Sequence, residues 1–88
     1  MPIEIHGPFH MDTFGRPPQH LWSIDAVDMV TGAVVGSLRY SEFRDAFRVE
    51  WLEVEESHRG GNIAMQMLRR LAEYHGVRLQ DLTYMRVS

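Results

Sequence analysis

An arginine, two glycines and an asparagine stand together at Arg59-Gly60-Gly61-Asn62, between an apolar run that reads as a strand and an amphipathic run that reads as a helix. That arrangement has a use in chemistry. The first N–H groups of a helix have no partner inside it, and the macrodipole puts partial positive charge there. A phosphate can sit on those donors where no side chain blocks the backbone. Gly60 and Gly61 leave the space open, and Arg59 adds a full positive charge at its mouth. An anion, a phosphate first of all, is the natural ligand of this corner. The alternative is a plain turn that uses glycine only for its backbone angles. No Lys-Ser/Thr follows the glycines, so the run is not a P-loop, and the third glycine of the dinucleotide fingerprint is absent.

The flanking elements must hold that corner in place. The strand is expected over Ala46 to Glu55 and the helix from about Asn62 to His75. Gly76 stops the helix in a left-handed cap. Ile63, Met67, Leu68, Leu71 and Tyr74 recur at the three- and four-residue spacing of a buried helical face. Gln66, Arg69, Arg70 and Glu73 fall on the wet side.

The run Trp51 to Gly76 resembles motif A of the GNAT superfamily, the acyl-CoA-dependent N-acyltransferases. In that motif a strand leads into Arg/Gln-x-x-Gly-x-Gly/Ala and then an amphipathic helix. Arg59 stands at its first position, Gly60 at the frequent second-position glycine and Ala64 at its last. Asn62 stands at the central glycine, and asparagine is the non-glycine residue best able to tolerate positive φ. The resemblance implies acetyl-CoA or another acyl-CoA as cosubstrate, bound by Arg59, Gly60, Gly61, Asn62, Ile63 and Ala64. It also implies that the backbone of Leu52 and Val54 pairs with the pantetheine arm. The fold it implies is an α+β (α/β), GNAT-like single domain. Its mixed, mostly antiparallel sheet has about four to five strands, with one main helix in a strand–helix–strand unit.

As an N-acyltransferase the chain would act on an amine, a protein lysine among the candidates. Such a reaction needs a base, and Glu50 and Glu53 are the residues in place, since a carboxylate in an apolar strand can have a raised pKa. Lying three apart, they point to opposite faces of a regular strand unless a bulge intervenes. A backbone N–H near Val54 would polarise the thioester carbonyl. The family's C-terminal helix, which carries a tyrosine as acid for the departing thiolate, is not expected within these 88 residues. Tyr84 on the last strand is the substitute acid, with a core or cross-strand role as the alternative. Without that helix one sheet edge is expected to be exposed, and exposed edges recruit partners. A homodimer, or docking of a catalytically inactive module on another protein, is therefore the second functional expectation.

The remaining chain is read as one domain, residues 1–88. Pro2 to His6 alternates like a short strand. Gly7 to Gln19, with its glycines and prolines, reads as a loop or arm that Phe9, Met11 and Phe14 pin to the body. His20–Val27 and Ala33–Tyr40 form a hairpin, and Gly36 marks a bulge or a close backbone approach. Leu82 to Val87 is the last strand. Trp22 and Trp51 are expected in the core. His58 is placed to help neutralise a phosphate. The other histidines, His6, His10, His20 and His75, are scattered, and no metal site is expected from their spacing.

The net charge is −3, so nothing marks the chain as a nucleic-acid or membrane binder. The sequence has no cysteine, which excludes disulfides, thiolate metal sites and a cysteine nucleophile. No run is long and apolar enough to span a bilayer, and the first residues lack the pattern of a secretion signal, so a cytoplasmic protein is expected.

Overall fold

A computed structural model describes residues 2–84, with side chains described over 2–82. Five strands form one sheet in sequence order: β1 (Ile3–Phe14), β2 (Gln19–Asp28), β3 (Val34–Phe43), β4 (Ala46–Val54) and β5 (Thr83–Tyr84). The first four are antiparallel neighbours, and β5 runs parallel to β4. The helix α1 (Ile63–His75) lies between β4 and β5 in the chain.

The expectation of a GNAT-like α+β fold is corrected. The described residues are mostly sheet and carry a single α-helix, whereas a GNAT fold carries several. The physical reason lies in the first half of the chain. Nothing before Arg59 has the 3.6-residue apolar period of a helix, and strand patterns run from Ile3 to Val54 almost without interruption.

Most of the presumed arm is part of that sheet, and only residues 15–18 form a turn, between β1 and β2. β1 continues through Gly7 and Pro8 to Phe14, with register shifts between His6 and Phe9 and between His10 and Asp12. Bulges of this kind let an edge strand absorb a proline that cannot donate to the ladder. Gly7 takes φ 109°, and a Cβ there would lie 2.9 Å from the Ser23 carbonyl oxygen. The β3–β4 hairpin closes through Arg44 and Asp45, both at positive φ (49° and 65°), the backbone of a tight two-residue turn.

α1 covers one face of the sheet. Ile24, Ala26, Leu38, Tyr40, Phe47 and Val49 from the strands meet Ile63, Met67, Leu68 and Leu71 from the helix. Each such side chain, taken fully out of water, contributes about 1.5–3 kcal/mol. Gly36 is where the helix comes nearest, since a Cβ there would meet Met67 Cε at 3.1 Å and Ile63 Cγ2 at 3.2 Å. Arg70, expected only to be solvated, donates to the Gly7 carbonyl at 3.1 Å and ties the helix to the bulge of β1. The other face is polar, with Ser23, Asp25, Ser37 and Ser41 in register, as befits an antiparallel sheet that meets water on one side.

Two aromatic expectations fail. Trp51 is 56% exposed, because its register partner is Arg39 on the polar face. Tyr74 is 60% exposed, and Ala72 takes its place in the buried stripe. The Tyr74 ring still covers Trp22, with centroids 6.0 Å apart. Of the expected last strand, the part beyond Tyr84 lies outside the described residues.

Candidate functional site

The corner at the start of α1 is built by backbone conformation. Asn62 adopts the left-handed region (φ 66°, ψ 18°), and so does Gly60 on φ (85°). Asn62 makes no side-chain capping bond, and the first turn of α1 holds no acidic residue. The first helical backbone bond runs from the Gln66 N–H to the Asn62 carbonyl. The N–H groups of Ile63, Ala64 and Met65 therefore have no partner within the helix. A Cβ at Gly60 would meet nothing within 4 Å, so no neighbouring atom crowds the loop at that position.

Arg59 stands beside them. Its Nε–H donates to the Val54 carbonyl at 3.1 Å, which holds the side chain back along the end of β4. No carboxylate pairs with it among the described residues. His58 lines the hollows beside the loop, with its ring already bonded within the protein. Its Nε2 lies 3.3 Å from Asp28 Oδ2 and its Nδ1 2.9 Å from Ser57 Oγ. Both ring nitrogens are engaged, and His58 anchors the loop to the β2–β3 turn. Asp28 is held below the usual carboxylate range, first by the Val30 N–H and then by His58 and the Thr31 N–H, with burial opposing.

Beside the donors lies a concavity of about 530 Å³ lined by Val54, His58, Arg59, Gly60, Asn62 and Ala64, among others. The structure thus brings together Val54, Arg59, Gly60, Asn62, Ile63 and Ala64 from the expected ligand set. Gly61 falls on the other side of the loop, in a second hollow with Ile3, His58 and Gln66. Leu52 lies further back on β4, opposite Leu38 and on the face that α1 covers. As described, β5 pairs only with Arg48 and Val49, so β4 from Glu50 to Val54 has no strand beyond it among the described residues.

The presumed bases are placed elsewhere. A register shift in β3–β4 sets Arg39 opposite Trp51 but Tyr40 opposite Val49, so Glu50 is the bulged residue. Its carboxylate accepts from Ser41 Oγ at 2.8 Å, on the polar face. Glu53 lies opposite Ser37 on that same face. The bulge therefore puts both glutamates on the side of the sheet away from α1. Tyr84 is on β5, and its side chain lies outside the described residues.

One cluster escaped sequence reasoning altogether. At the far end of α1, His75 Nε2 meets the Tyr40 hydroxyl at 2.9 Å, and Trp22 donates to Glu42 Oε1 at 3.1 Å. His10 and His20 meet across β1 and β2, with Nε2 and Nδ1 3.2 Å apart. Ten residues separate them in the chain, and only the strand pairing joins them. The signal that could have found them is the alternation of His20 with Trp22, once β1 is extended beyond Gly7.

No helix is long and apolar enough to cross a membrane among the described residues. Comparison with family models, curated proteins and solved structures finds no match for this chain.

Proposed function

We propose that the corner at the start of α1 binds the phosphates of an acyl-CoA thioester, with an amine such as a protein lysine as the acceptor of its acyl group. The observation that carries this reading is the uncapped first turn of α1 behind an open Gly60, with Arg59 at its side. The donor chemistry suits a diphosphate: three N–H groups without a partner in the helix, one guanidinium and no acidic residue in the turn. The likeness of Arg59–Ala64 to the nucleotide loop of acyl-CoA-dependent acyltransferases supports the choice of ligand, as a likeness of the loop alone. A bound thioester would supply an activated acyl group. The chain's own part is to hold the phosphates on the amides of Ile63, Ala64 and Met65 and to lay the rest of the ligand along the end of β4. The cytoplasm, expected from the sequence, belongs to this reading.

Calorimetry with CoA, acetyl-CoA and inorganic pyrophosphate tests it. The expected result is binding of both CoA forms, weakened about tenfold or more by Arg59→Ala, since a charge-assisted contact is worth about 1.5–3 kcal/mol. Asn62→Gly is expected to tighten binding, because the carboxamide no longer crowds the diphosphate. No heat and no competition at about millimolar ligand would remove the reading.

A second reading is favoured by the bulge at Glu50. With both glutamates turned to the polar face, a non-catalytic module that dimerises or docks through a sheet edge is the alternative. Exposed Phe9, Met11 and Phe14 lie on the edge strand β1. Sedimentation separates the two: a strict monomer with acetyl-CoA turnover sinks the second.

A further inference from the structure

We propose that His10, His20 and Thr13 form a surface site for a divalent late transition-metal ion of the Cu2+ or Zn2+ class. The site lies at the end of the sheet away from the glycine loop, about 20 Å along α1 by helical rise. His10 faces Trp22 and Thr13 faces His20 in the β1–β2 ladder. Trp22 and His20 are two apart and share a face, so the irregularity between His10 and Asp12 puts Thr13 on the same face as His10. A regular strand would have sent it to the other side.

Three polar atoms converge there. His10 Nε2 and His20 Nδ1 are 3.2 Å apart, and Thr13 Oγ1 lies 3.1 Å from the first and 3.0 Å from the second. These three contacts cannot all be hydrogen bonds. A ring nitrogen offers either one proton or one lone pair, and the hydroxyl has one proton, so at most two of the three edges are satisfied. A cation bound by all three atoms would instead use one lone pair from each. The spacing fits: ligands at about 2.1 Å from an ion are about 3.0 Å apart in octahedral and about 3.4 Å apart in tetrahedral geometry. Imidazole selects copper, zinc and nickel over calcium and magnesium.

The other ring nitrogens, His10 Nδ1 and His20 Nε2, can then carry the protons. The Trp22 ring packs edge-on against His10 at 5.0 Å and fixes its plane. The Asp12 carboxylate accepts from the Thr13 N–H at 2.8 Å and steadies the bulge. Among the described residues, no group of three or more histidine, cysteine or acidic side chains is placed to hold a metal, so water would fill the remaining positions.

Trp22 is a built-in reporter. Trp51→Phe leaves it as the only tryptophan. Titration of that variant with Cu2+, followed by fluorescence, and of the wild type with Zn2+, followed by calorimetry, is expected to show one saturable site that quenches Trp22. His20→Ala and His10→Ala should each weaken it by about 100-fold or more, beyond the 10–100-fold that outer partners alone cost. Thr13→Val should weaken it about tenfold. His6→Ala, which removes the exposed His6–Glu4 pair, should leave it unchanged. Circular dichroism of each variant reports folding. Absence of quenching and of heat in the wild type overturns the proposal. Equal affinity in folded His10→Ala and His20→Ala variants, or loss of the site in His6→Ala, does so as well.

Discussion

The two ends of α1 share a backbone conformation and differ in everything else. Asn62 before the helix has φ 66° and ψ 18°, and Gly76 after it has φ 69° and ψ 33°. At the C-terminal end the left-handed residue closes the helix. The Val77 N–H bonds back to the Ala72 carbonyl at 3.0 Å, and Val77 packs on the core. Around it, His75, Tyr40, Phe47 and Trp22 fit ring against ring. At the N-terminal end the left-handed Asn62 makes no side-chain cap, and the N–H groups of Ile63, Ala64 and Met65 have no partner within the helix. A satisfied helix end contributes to stability, whereas an unsatisfied one beside a bare glycine is available to a ligand. One end of the helix is thus closed by its own backbone, and the other leaves its first N–H groups without a partner in the helix.

The contrast can be broken most forcefully at the closed end. Leu71 is fully buried, and Leu71→Ala is expected to lower unfolding free energy by about 2–5 kcal/mol, read by equilibrium denaturation. A loss below about 1 kcal/mol would mean that the helix is not anchored there. Exchange of the two left-handed residues gives a smaller effect with a sharper meaning. Gly76→Ala is expected to cost about 1 kcal/mol, because its new Cβ meets no neighbour and only the backbone is strained. Asn62→Gly should shift stability by no more than about 0.5 kcal/mol, since relief of strain and loss of chain stiffness oppose each other. If both substitutions act alike, the two ends do not differ as described.

The smallest effect is in the pH dependence. Burial holds His75 below its ordinary pKa, and the charge of Glu42 opposes that shift only in part. The unfolded chain therefore takes up this proton more readily than the folded one. The stability contributed by neutral His75 is complete above the unfolded pKa of about 6.5 and is lost as pH falls through the lower folded value. Thermal melts between pH 7 and pH 5 should show the decline, and His75→Gln should flatten it.

The sequence made the helix, its stop at Gly76 and the glycine corner legible, because each rests on local signals within a few residues. Asn62 is the clearest instance: its tolerance of positive φ was readable, and the structure uses it. Gly36 was legible too, as a bulge or a close approach: a Cβ there would meet Met67 and Ile63, beside the register shift between Ala26 and Val27. What depends on pairing was not. A glycine and a proline in Gly7–Gln19 read as a loop, yet bulges carry them inside β1. The bulge at Glu50 reversed the side on which a presumed base lies, through one extra residue that no local pattern announces. The meeting of His10 with His20 exists only in the register of two strands. Trp51 misled because hydrophobicity alone does not tell which face of a strand is covered.

Backbone amide shifts by heteronuclear NMR during titration with CoA are the most direct test of the central claim. The expected result is that the Ile63, Ala64 and Met65 amides move first and furthest, that pyrophosphate moves the same set, and that pantetheine alone moves it far less. Amides that stay still while CoA binds elsewhere, or no shift anywhere at saturating ligand, would contradict a phosphate site at the open end of α1.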